Sequence, residues 1–295
     1  MPPDLTVIFI SYNSARLLER ALSTLRDAEP LLRFEVLVVD NGSLDRERLF
    51  LVCRENGARL LALNRNMGIG AAANRGLRYA RGRYVAVGNP DLVFTEGAVS
   101  ALVRFMDMQR DAGVVSPQFV YADGCIQPSA RRLPRMRYIF AGRRSPLARI
   151  SSHLAPSAEF LYSGADMSAS PVAVEAVIGA FMVFRREALE QAGAFDERYF
   201  MYAEDMDICR RIGRDWRVFL LPTSRIVHLV GQTRRQFVKL SEFHRLRSHR
   251  LFFRDGALGL RAIALDVLFS YYLACQQAAR LVGVNEFEYS WAQHR

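Results

Sequence analysis

Short apolar runs alternate with helical patterns over the first 120 residues of the chain. Leu5 to Ile10 has the length of a buried strand, and Ser14 can cap a helix that runs to about Asp27. The same alternation predicts five further elements: a strand at 34–39, a helix at 46–56, a strand at 59–63, a helix at 71–79 and a strand at 84–88. Strands alternating with helices predict an α/β fold with a mostly parallel sheet.

The second half of the chain has a weaker pattern. Residues 118–176 carry Pro, Ser, Gly and Arg without a clear period, and we expect a long loop region over the site. After it the pattern predicts a strand at 177–184, a short helix closed by Gly193, a helix at 205–212, and short strands at 217–221 and 225–228.

An amphipathic stretch at 257–282 follows. Arg261 and Asp266 interrupt it, so it falls short of the roughly 20 apolar residues of a membrane-spanning helix. Its pattern fits a helix packed on the core and, equally, one lying in a bilayer interface. The opening Met1-Pro-Pro-Asp4 lacks the basic start of a signal peptide, and four scattered cysteines predict free thiols in a reducing compartment. We therefore expect a cytoplasmic protein.

The charge is strongly positive and comes almost entirely from arginine. The chain has 295 residues, 40 Lys+Arg against 30 Asp+Glu, a net charge of +10, and 51% apolar residues, which is a globular composition. No acidic residue lies between Asp123 and Glu159. Two runs concentrate the positive charge: Arg131, Arg132, Arg135, Arg137, Arg143, Arg144 and Arg149, then Arg234, Arg235, Lys239, Arg245, Arg247, Arg250 and Arg254. Such runs favour a polyanion, whether nucleic acid, an anionic membrane or a diphosphate.

Polar clusters follow each of the first four predicted strands, at 11–13, 40–41, 64–66 and 89–91. Because ligands of open parallel sheets bind outside the carboxyl ends of the strands, these clusters predict one binding crevice. Asp91 there can hold Mg²⁺ or Mn²⁺ together with substrate phosphates. His228, at the end of a later strand, is a further candidate ligand, with a purely structural histidine as the alternative.

A second acidic candidate is the Glu204-Asp205 pair at a predicted helix start. One carboxylate within reach of a hydroxyl can act as its general base, and Asp205 is the better candidate. The alternative is a solvated acidic helix start, and Asp207 fits that alternative because Arg210 and Arg211 lie three and four residues further on.

The glycines of residues 68–73 match the GxGxxA fingerprint of dinucleotide-binding proteins through Gly68, Gly70 and Ala73. That fingerprint belongs after the first strand, whereas here it follows the third. An NAD(P)-dependent oxidoreductase is therefore the weaker alternative, and a non-catalytic membrane adaptor is another.

Taken together, six ordered stretches resemble the family 2 glycosyltransferases of the GT-A fold, within them the bacterial rhamnosyltransferase-like branch. They lie at 7–13, 38–43, 64–68, 89–91, 203–207 and 228–231. The resemblance implies a GT-A domain at 1–232, divided into a nucleotide-binding half (1–117) and an acceptor and catalytic half (118–232). A helical extension at 233–295 then serves membrane contact or pairing of two copies.

The resemblance also implies roles for individual residues. The residues implied to bind the nucleotide-sugar are Ser11, Asn13, Asp40, Asn66, Gly68, Asn74 and Asn89. The first three would contact the base and the ribose. Asp91 takes the metal-ligand role, although Asn89 replaces an aspartate of the family's Asp-x-Asp motif and removes one charge. Asp205 becomes the catalytic base of an inverting displacement.

The implied reaction moves rhamnose from dTDP-rhamnose to a polyprenyl-diphosphate-linked or glycan acceptor. UDP-sugars and GDP-mannose are the alternative donors. Glu204, Arg131 and Arg132 are candidate contacts to the acceptor or its phosphates. We expect peripheral association with the inner face of the membrane through residues 131–149 and the 257–282 helix. Nucleic acid is not expected, because the chain lacks a recognition-helix or zinc motif.

Overall fold

The computed structural model describes residues 2–140, 159–162, 171–229, 238–255 and 257–281. The strands are β1 (Leu5–Ser11), β2 (Phe34–Asp40), β3 (Arg59–Ala62), β4 (Tyr84–Gly88), β5 (Leu92–Phe94), β6 (Ala112–Val120), β7 (Ala130–Arg131), β8 (Val172–Val174), β9 (Ala176–Val177), β10 (Phe181–Arg185) and β11 (Arg217–His228). The helices are α1 (Ala15–Ala28), α2 (Arg46–Glu55), α3 (Ile69–Leu77), α4 (Ala98–Met108), α5 (Met136–Phe140), α6 (Arg186–Gln191), α7 (Glu204–Ile212), α8 (Val238–Arg254) and α9 (Gly259–Leu281).

One sheet organises the molecule, in the order β3-β2-β1-β4-β10-β6-β11-β5, with β8 also paired to β11. Strands β1 to β4 are mutually parallel, and β6 runs parallel to β11. Strand β10 lies antiparallel between β4 and β6 and joins the two parallel groups. The predicted α/β fold with a mostly parallel sheet is confirmed.

The interior strand β1 is buried on both faces, which explains its mostly apolar sequence. Leu5, Val7 and Phe9 pack into a core with α1, α2 and α4. Ile8 and Ile10 point to the opposite face and pack with α3, α6 and α7. Because side chains alternate along a strand, this single segment supplies both cores and fixes the sheet between two helical layers.

Two predicted strand boundaries were wrong. The predicted strand at 177–184 is β9 and β10, separated by a turn at Gly179 and Ala180. The strands predicted at 217–221 and 225–228 are the single strand β11, in which the register against β6 shifts between Leu221 and Arg225. Pro222 lies in that shift and has no N–H to donate to the sheet, so the strand bulges there instead of ending.

The region at 118–176, predicted as a long loop, contains regular structure. Its first residues complete β6, and β7, α5 and β8 follow. Strand β7 pairs antiparallel with β9, with Ala130 opposite Val177 and Arg131 opposite Ala176. This small sheet brings the first arginine run next to the turn at 179–180. Residues 141–158 and 163–170, with three of the arginines of that run, lie outside the described residues.

Helix α8 packs on the segment that precedes α7. Phe252 joins Tyr199 and Ala203 in a small buried cluster, and the Ser248 hydroxyl donates to the Met201 carbonyl oxygen at 2.8 Å. Helix α9 buries Phe269 but exposes Leu260, which is 85% accessible. In the described part of the chain, no helix is both long enough and apolar enough to cross a membrane.

Candidate active site

The carboxyl ends of β1 and β2 form one side of the predicted crevice. The Asp40 Oδ1 atom accepts the Ser43 N–H at 2.8 Å, and Arg46 Nε lies 3.6 Å from Oδ2. Asp40 Oδ2 is buried and has no hydrogen-bond partner among the described residues. Ser14 stands at the predicted cap position of α1, but its hydroxyl bonds the buried Ser11 hydroxyl at 2.9 Å and does not cap the helix.

A cavity of about 360 Å³ opens beside these groups, between the starts of α1 and α2. Asn13 lines it with backbone in the left-handed region, at φ +51°. The Asn13 side-chain oxygen accepts the Leu44 N–H at 2.9 Å. The backbone N–H of Asn13 donates to Ser43 Oγ. These bonds link the loops after β1 and β2, so the two loops hold a common wall of the cavity.

The loop after β3 is held by Asn41, an asparagine that the sequence motifs did not single out as a site residue. Asn41 donates from Nδ2 to Asn66 Oδ1 at 3.0 Å and accepts the Met67 N–H at Oδ1 at 2.9 Å. Asn66 Oδ1 also accepts the Gly68 N–H. The Asn66 side-chain oxygen is therefore engaged within the protein, where it shapes the loop.

Gly68 adopts φ +89° and begins α3. A Cβ atom built on it would lie 2.4 Å from the Phe200 carbonyl oxygen, and that oxygen accepts the Ile69 N–H at 3.0 Å. Glycine is required here because the backbone at Phe200 approaches so closely. In a dinucleotide-binding protein the pyrophosphate occupies this helix start, so the packing goes against the oxidoreductase alternative.

Asn74 lies one turn further along α3 and binds the same segment. Its amide nitrogen donates to the Phe195 carbonyl at 2.8 Å, and its amide oxygen accepts the Phe195 N–H at 3.0 Å. Nδ2 also contacts Glu197 Oε1 at 3.1 Å. Asn74 thus fixes the chain that leads to α7.

Asp91 and His228, the two predicted metal ligands, lie side by side. Strand β5 pairs with the end of β11, with Leu92 opposite His228, and the Asp91 carbonyl accepts the Leu229 N–H at 2.9 Å. His228 Nε2 is 3.5 Å from Asp91 Oδ1, an oxygen that is buried and has no hydrogen-bond partner within the described part of the chain.

This pair fits a divalent cation. A carboxylate oxygen left without a donor and an imidazole nitrogen facing it are both ligand atoms for such an ion. Within the described ranges no third His, Cys, Asp or Glu joins them. The remaining coordination positions are therefore available to water and to phosphate oxygens, as is usual for cations that act on nucleotides.

Glu204 and Asp205 open α7 after two residues in the left-handed region, Tyr202 at φ +68° and Ala203 at φ +63°. Such backbone is strained for residues with a Cβ, and it turns the helix start toward the sheet. Asp205 Oδ2 accepts the Gly179 N–H at 2.9 Å, and Oδ1 accepts the N–H of Met206 at 2.8 Å. Two backbone donors therefore orient this carboxylate.

Burial raises the pKa of the Asp205 carboxyl, and the two N–H donors and the charge of Arg131 oppose that rise. Burial and the neighbouring Asp205 charge also raise the pKa of Glu204. Glu204 Oε2 is buried without a hydrogen-bond partner in the region the structure describes. Burial raises the pKa of both carboxyl groups, whereas the two N–H donors and the Arg131 charge favour the ionised form at Asp205.

In the described part of the first arginine run, three of the four arginines lie close to acidic side chains. Arg132 pairs with Glu175 at 3.0 Å, and Arg137 pairs with Glu159. Arg135 lies 3.6 Å from both of these glutamates. The acids come from outside the acid-free stretch and fold back onto it, which partly neutralises the run.

Arg131 points elsewhere. Its NH1 nitrogen donates to the carbonyl oxygens of Pro128 and Ala130 at 2.7 and 2.8 Å, and its charge acts on Asp205. Burial lowers the pKa of Arg131 to about 10, so the guanidinium stays charged at neutral pH. The Arg131 charge thus acts on Asp205, whereas Arg132 is held in an ion pair with Glu175.

The second run is also partly paired, since Arg250 and Arg254 contact Asp266 at 2.8 and 3.0 Å. Arg234 and Arg235 lie outside the described residues. Asp207 pairs with Arg210 at 2.6 Å and with Arg211 at 2.8 Å, as its spacing predicted, but it is buried and not part of a solvated helix start.

Asp91 and Asp205 are connected through a single turn. The N–H of Asn89, the residue two before Asp91, donates to the Ala180 carbonyl at 2.9 Å, and the adjacent Gly179 binds Asp205. The fold thus carries a candidate cation pair and a candidate base at the carboxyl side of an α/β sheet. This arrangement is the one expected of the GT-A glycosyltransferases that the six motifs resemble.

Solved structures agree with this class. The chain superposes on a mannosyltransferase from Pyrobaculum calidifontis, in complex with GDP-Man and Mn²⁺, with a TM-score of 0.58 and 20% identity over 91% of this chain and 70% of that one. Staphylococcus aureus TarS (1–349) gives a TM-score of 0.56 at 18% identity, over 92% of this chain and 70% of that one. At these identities the likeness concerns the fold.

Sequence comparison defines the family. The family described as Glycosyl transferase family 2 matches residues 6–193. An N-acetylglucosaminyl-diphospho-decaprenol L-rhamnosyltransferase of Mycobacterium tuberculosis is 31% identical over 242 residues, which are 77% of this chain and 76% of the relative. The chain belongs to glycosyltransferase family 2, as the six motifs indicated.

Proposed function

We propose that the protein is an inverting rhamnosyltransferase of cell-envelope glycan synthesis. It transfers rhamnose from dTDP-rhamnose to a hydroxyl of a lipid-linked or polysaccharide acceptor. The observation that carries the proposal is Asp205, a buried carboxylate oriented by two backbone donors and joined through one turn to the strand end that bears Asp91. The mycobacterial relative, named for rhamnosyl transfer to a diphospho-decaprenol-linked sugar, supports the donor and acceptor classes.

The nucleotide lies over the carboxyl ends of β1 and β2. Asp40 supports this placement, because its buried Oδ2 lacks a hydrogen-bond donor among the described residues and can accept one from a base or a ribose hydroxyl. Asn13 and Ser11 stand at the end of the neighbouring strand. Asn66, Gly68 and Asn74 act through the backbone they hold in place.

Asp91 and His228 hold a divalent cation, Mn²⁺ or Mg²⁺. When bound, such an ion offsets the negative charge of the leaving diphosphate. Asn89, in place of an acid, leaves Asp91 as the single carboxylate in this strand end. We therefore expect the cation to bind more tightly once the donor diphosphate supplies further oxygens.

Asp205 accepts the proton of the acceptor hydroxyl. The oxygen of that hydroxyl then forms a bond to the anomeric carbon as the bond from that carbon to the diphosphate oxygen breaks, which inverts the anomeric centre. The N–H groups of Gly179 and Met206 orient Asp205 and favour its ionised form against the effect of burial, and the Arg131 charge assists them. Glu204, protonated beside it, leaves the negative charge on Asp205.

The acceptor's lipid places the protein on the inner face of the membrane. Helix α9 supports this placement through its exposed apolar residues, since Leu260, Ile263 and Val267 follow helical spacing and are 85%, 60% and 64% accessible. The paired arginines of the first run contribute less than their number suggests. A pair of copies through the same apolar face is the competing arrangement.

A product assay tests the proposed reaction. Purified protein receives Mn²⁺, a short polyprenyl-diphosphate-linked N-acetylglucosamine, and in turn dTDP-rhamnose, UDP-glucose and GDP-mannose. We expect dTDP-rhamnose to give product with the anomeric configuration opposite to that of the donor, read by NMR. If the protein transfers sugar only from another donor, it is not a rhamnosyltransferase. If the product retains the anomeric configuration of the donor, the single-displacement mechanism is wrong.

A further inference from the structure

We propose that Gln127 is a positioning residue for the cation site. Its amide oxygen holds the proton of His228 on Nδ1, so that the Nε2 lone pair faces Asp91. The inference rests on the cation site of the proposed function and deepens it. Neither the motifs of the sequence nor any charge pattern marks Gln127.

The hydrogen-bond geometry around His228 supports this role. His228 Nδ1 lies 3.0 Å from Gln127 Oε1. A neutral imidazole has one N–H donor and one acceptor nitrogen, and an amide oxygen only accepts. Nδ1 therefore carries the proton, and Nε2 is left with its lone pair.

That tautomer explains the unpartnered oxygen of Asp91. Nε2 and Asp91 Oδ1 are 3.5 Å apart and both are acceptors, so they do not form a hydrogen bond. Two acceptors held face to face repel each other unless a cation lies between them.

Gln127 is itself firmly held. It is 8% accessible, and its N–H donates to the Phe119 carbonyl at 2.9 Å. Its carbonyl accepts from Gln118 Nε2 at 2.6 Å. The Phe119 ring packs against the His228 imidazole with 5.6 Å between centroids. The histidine is thus held between an amide and a ring, in the orientation that a bound cation needs.

Removing such a partner of a histidine ligand lowers metal affinity by about 10–100-fold in other sites. We therefore expect Gln127→Leu, which has no acceptor, to bind Mn²⁺ at least about 10-fold more weakly. Gln127→Glu keeps an oxygen opposite Nδ1 and should restore the affinity. Gln191→Leu is the matched control, because Gln191 also accepts an aromatic N–H, that of Trp216, at 2.7 Å.

The test determines the tautomer of His228 first and the affinity for Mn²⁺ second. In full-length metal-free protein labelled with ¹⁵N-histidine, His228 is assigned by comparison with His228→Asn. We expect the Nδ1–H tautomer in the wild type and in Gln127→Glu, and a mixture or the Nε2–H form in Gln127→Leu. Titration with Mn²⁺ alone, followed by the EPR signal of the free ion, gives the affinity of each variant.

Two results overturn the inference: an Nε2–H tautomer in the wild type, or unchanged Mn²⁺ affinity in Gln127→Leu. The wild-type tautomer decides the question even where Gln127→Leu does not fold. Sugar transfer is measured separately. If the protein transfers the sugar but Gln127→Leu binds Mn²⁺ with unchanged affinity, only the positioning role of Gln127 is wrong. If the tautomer and the Mn²⁺ affinities are as expected but no sugar is transferred, only the proposed function is wrong.

Discussion

The backbone N–H of Gly179 donates a 2.9 Å hydrogen bond to Oδ2 of Asp205. The next residue in the same turn, Ala180, accepts the N–H of Asn89 at the end of β4. A turn of two residues between β9 and β10 therefore sets the proposed base against the strand end that carries the proposed cation site. Small displacements of this turn should change catalysis without changing the fold.

Gly179→Ala tests that relationship. The added Cβ would lie 3.1 Å from the Asp205 Cβ, tighter than most packed contacts, so Asp205 must move by a few tenths of an ångström. Because misplacement of a reacting group by about 1 Å can cost 100-fold, we expect kcat to fall by about 10-fold or more with little change in donor affinity. Steady-state kinetics and donor titration measure both.

Gly97→Ala is the control for that substitution. Gly97 has φ +68° but open space around its Cα, so alanine there lowers stability through backbone strain alone. Equal kcat values for the two variants would contradict the account of the Gly179 turn.

Arg131→Met should change the pH profile. Removing the charge raises the pKa of Asp205 further, because the guanidinium opposes the effect of burial. A base acts only when deprotonated, so the acid limb of kcat/KM should move to higher pH. Arg131→Lys, which keeps the charge, should restore the limb, and Arg132→Met, which loses the ion pair with Glu175, should leave it in place. The account of Arg131 fails if Arg131→Met leaves the limb unmoved.

Glu204→Gln should stabilise the protein increasingly as pH rises. The pKa of Glu204 is raised above the ordinary 4.5 by burial and by Asp205. Above pH 4.5 the unfolded chain has lost this proton while the folded protein keeps it, so the wild type loses stability with rising pH. A tenfold difference in proton affinity between the folded and unfolded chain corresponds to about 1.4 kcal/mol, so we expect an advantage of at least about 1 kcal/mol by about pH 8.

Thermal or urea unfolding between about pH 5 and pH 8 measures the Glu204 effect. Glu47→Gln, at an exposed position in the first turn of α2, is the control and should show no such trend. A constant difference between Glu204→Gln and the wild type across this range would show that the carboxyl titrates normally.

The apolar face of α9 predicts membrane binding. The combined substitution Leu260→Gln, Ile263→Gln and Val267→Gln should reduce sedimentation with phosphatidylglycerol vesicles by about 10-fold or more, since it removes the buried apolar area on which such binding depends. The double variant Leu31→Gln and Met108→Gln changes equally exposed apolar residues elsewhere and should bind normally. If the triple variant changes the monomer–dimer equilibrium but binds vesicles as the wild type does, the apolar face of α9 pairs two copies of the chain instead of binding a membrane.

The order of strands and helices could be predicted because β1, β2 and β4 are largely buried strands with mostly apolar sequences. The break at Gly179 and the continuity through Pro222 could not, since both depend on neighbouring strands. Glycine and proline occur in loops between strands and also in bulges within a strand, so the sequence alone does not distinguish the two.

At the candidate site, the sequence predicted where Asp91, His228 and Asp205 lie, after two strands and at a helix start, and their chemical roles stay predictions. Gln127, Gly179 and Glu175 were not predictable, because their roles arise from contacts between segments distant in sequence. The charge of the first arginine run was misjudged for the same reason. Local sequence shows no acid near Arg132, and the partner Glu175 lies 43 residues away.

The most direct measurement is donor binding and turnover in Asp205→Asn. Asparagine keeps the shape of the side chain and removes the ability to accept the proton. We expect dTDP-rhamnose to bind with unchanged affinity while the transfer rate falls by about 100- to 10,000-fold, the range of a lost general base. A variant that binds the donor and still transfers the sugar at the wild-type rate would contradict the account.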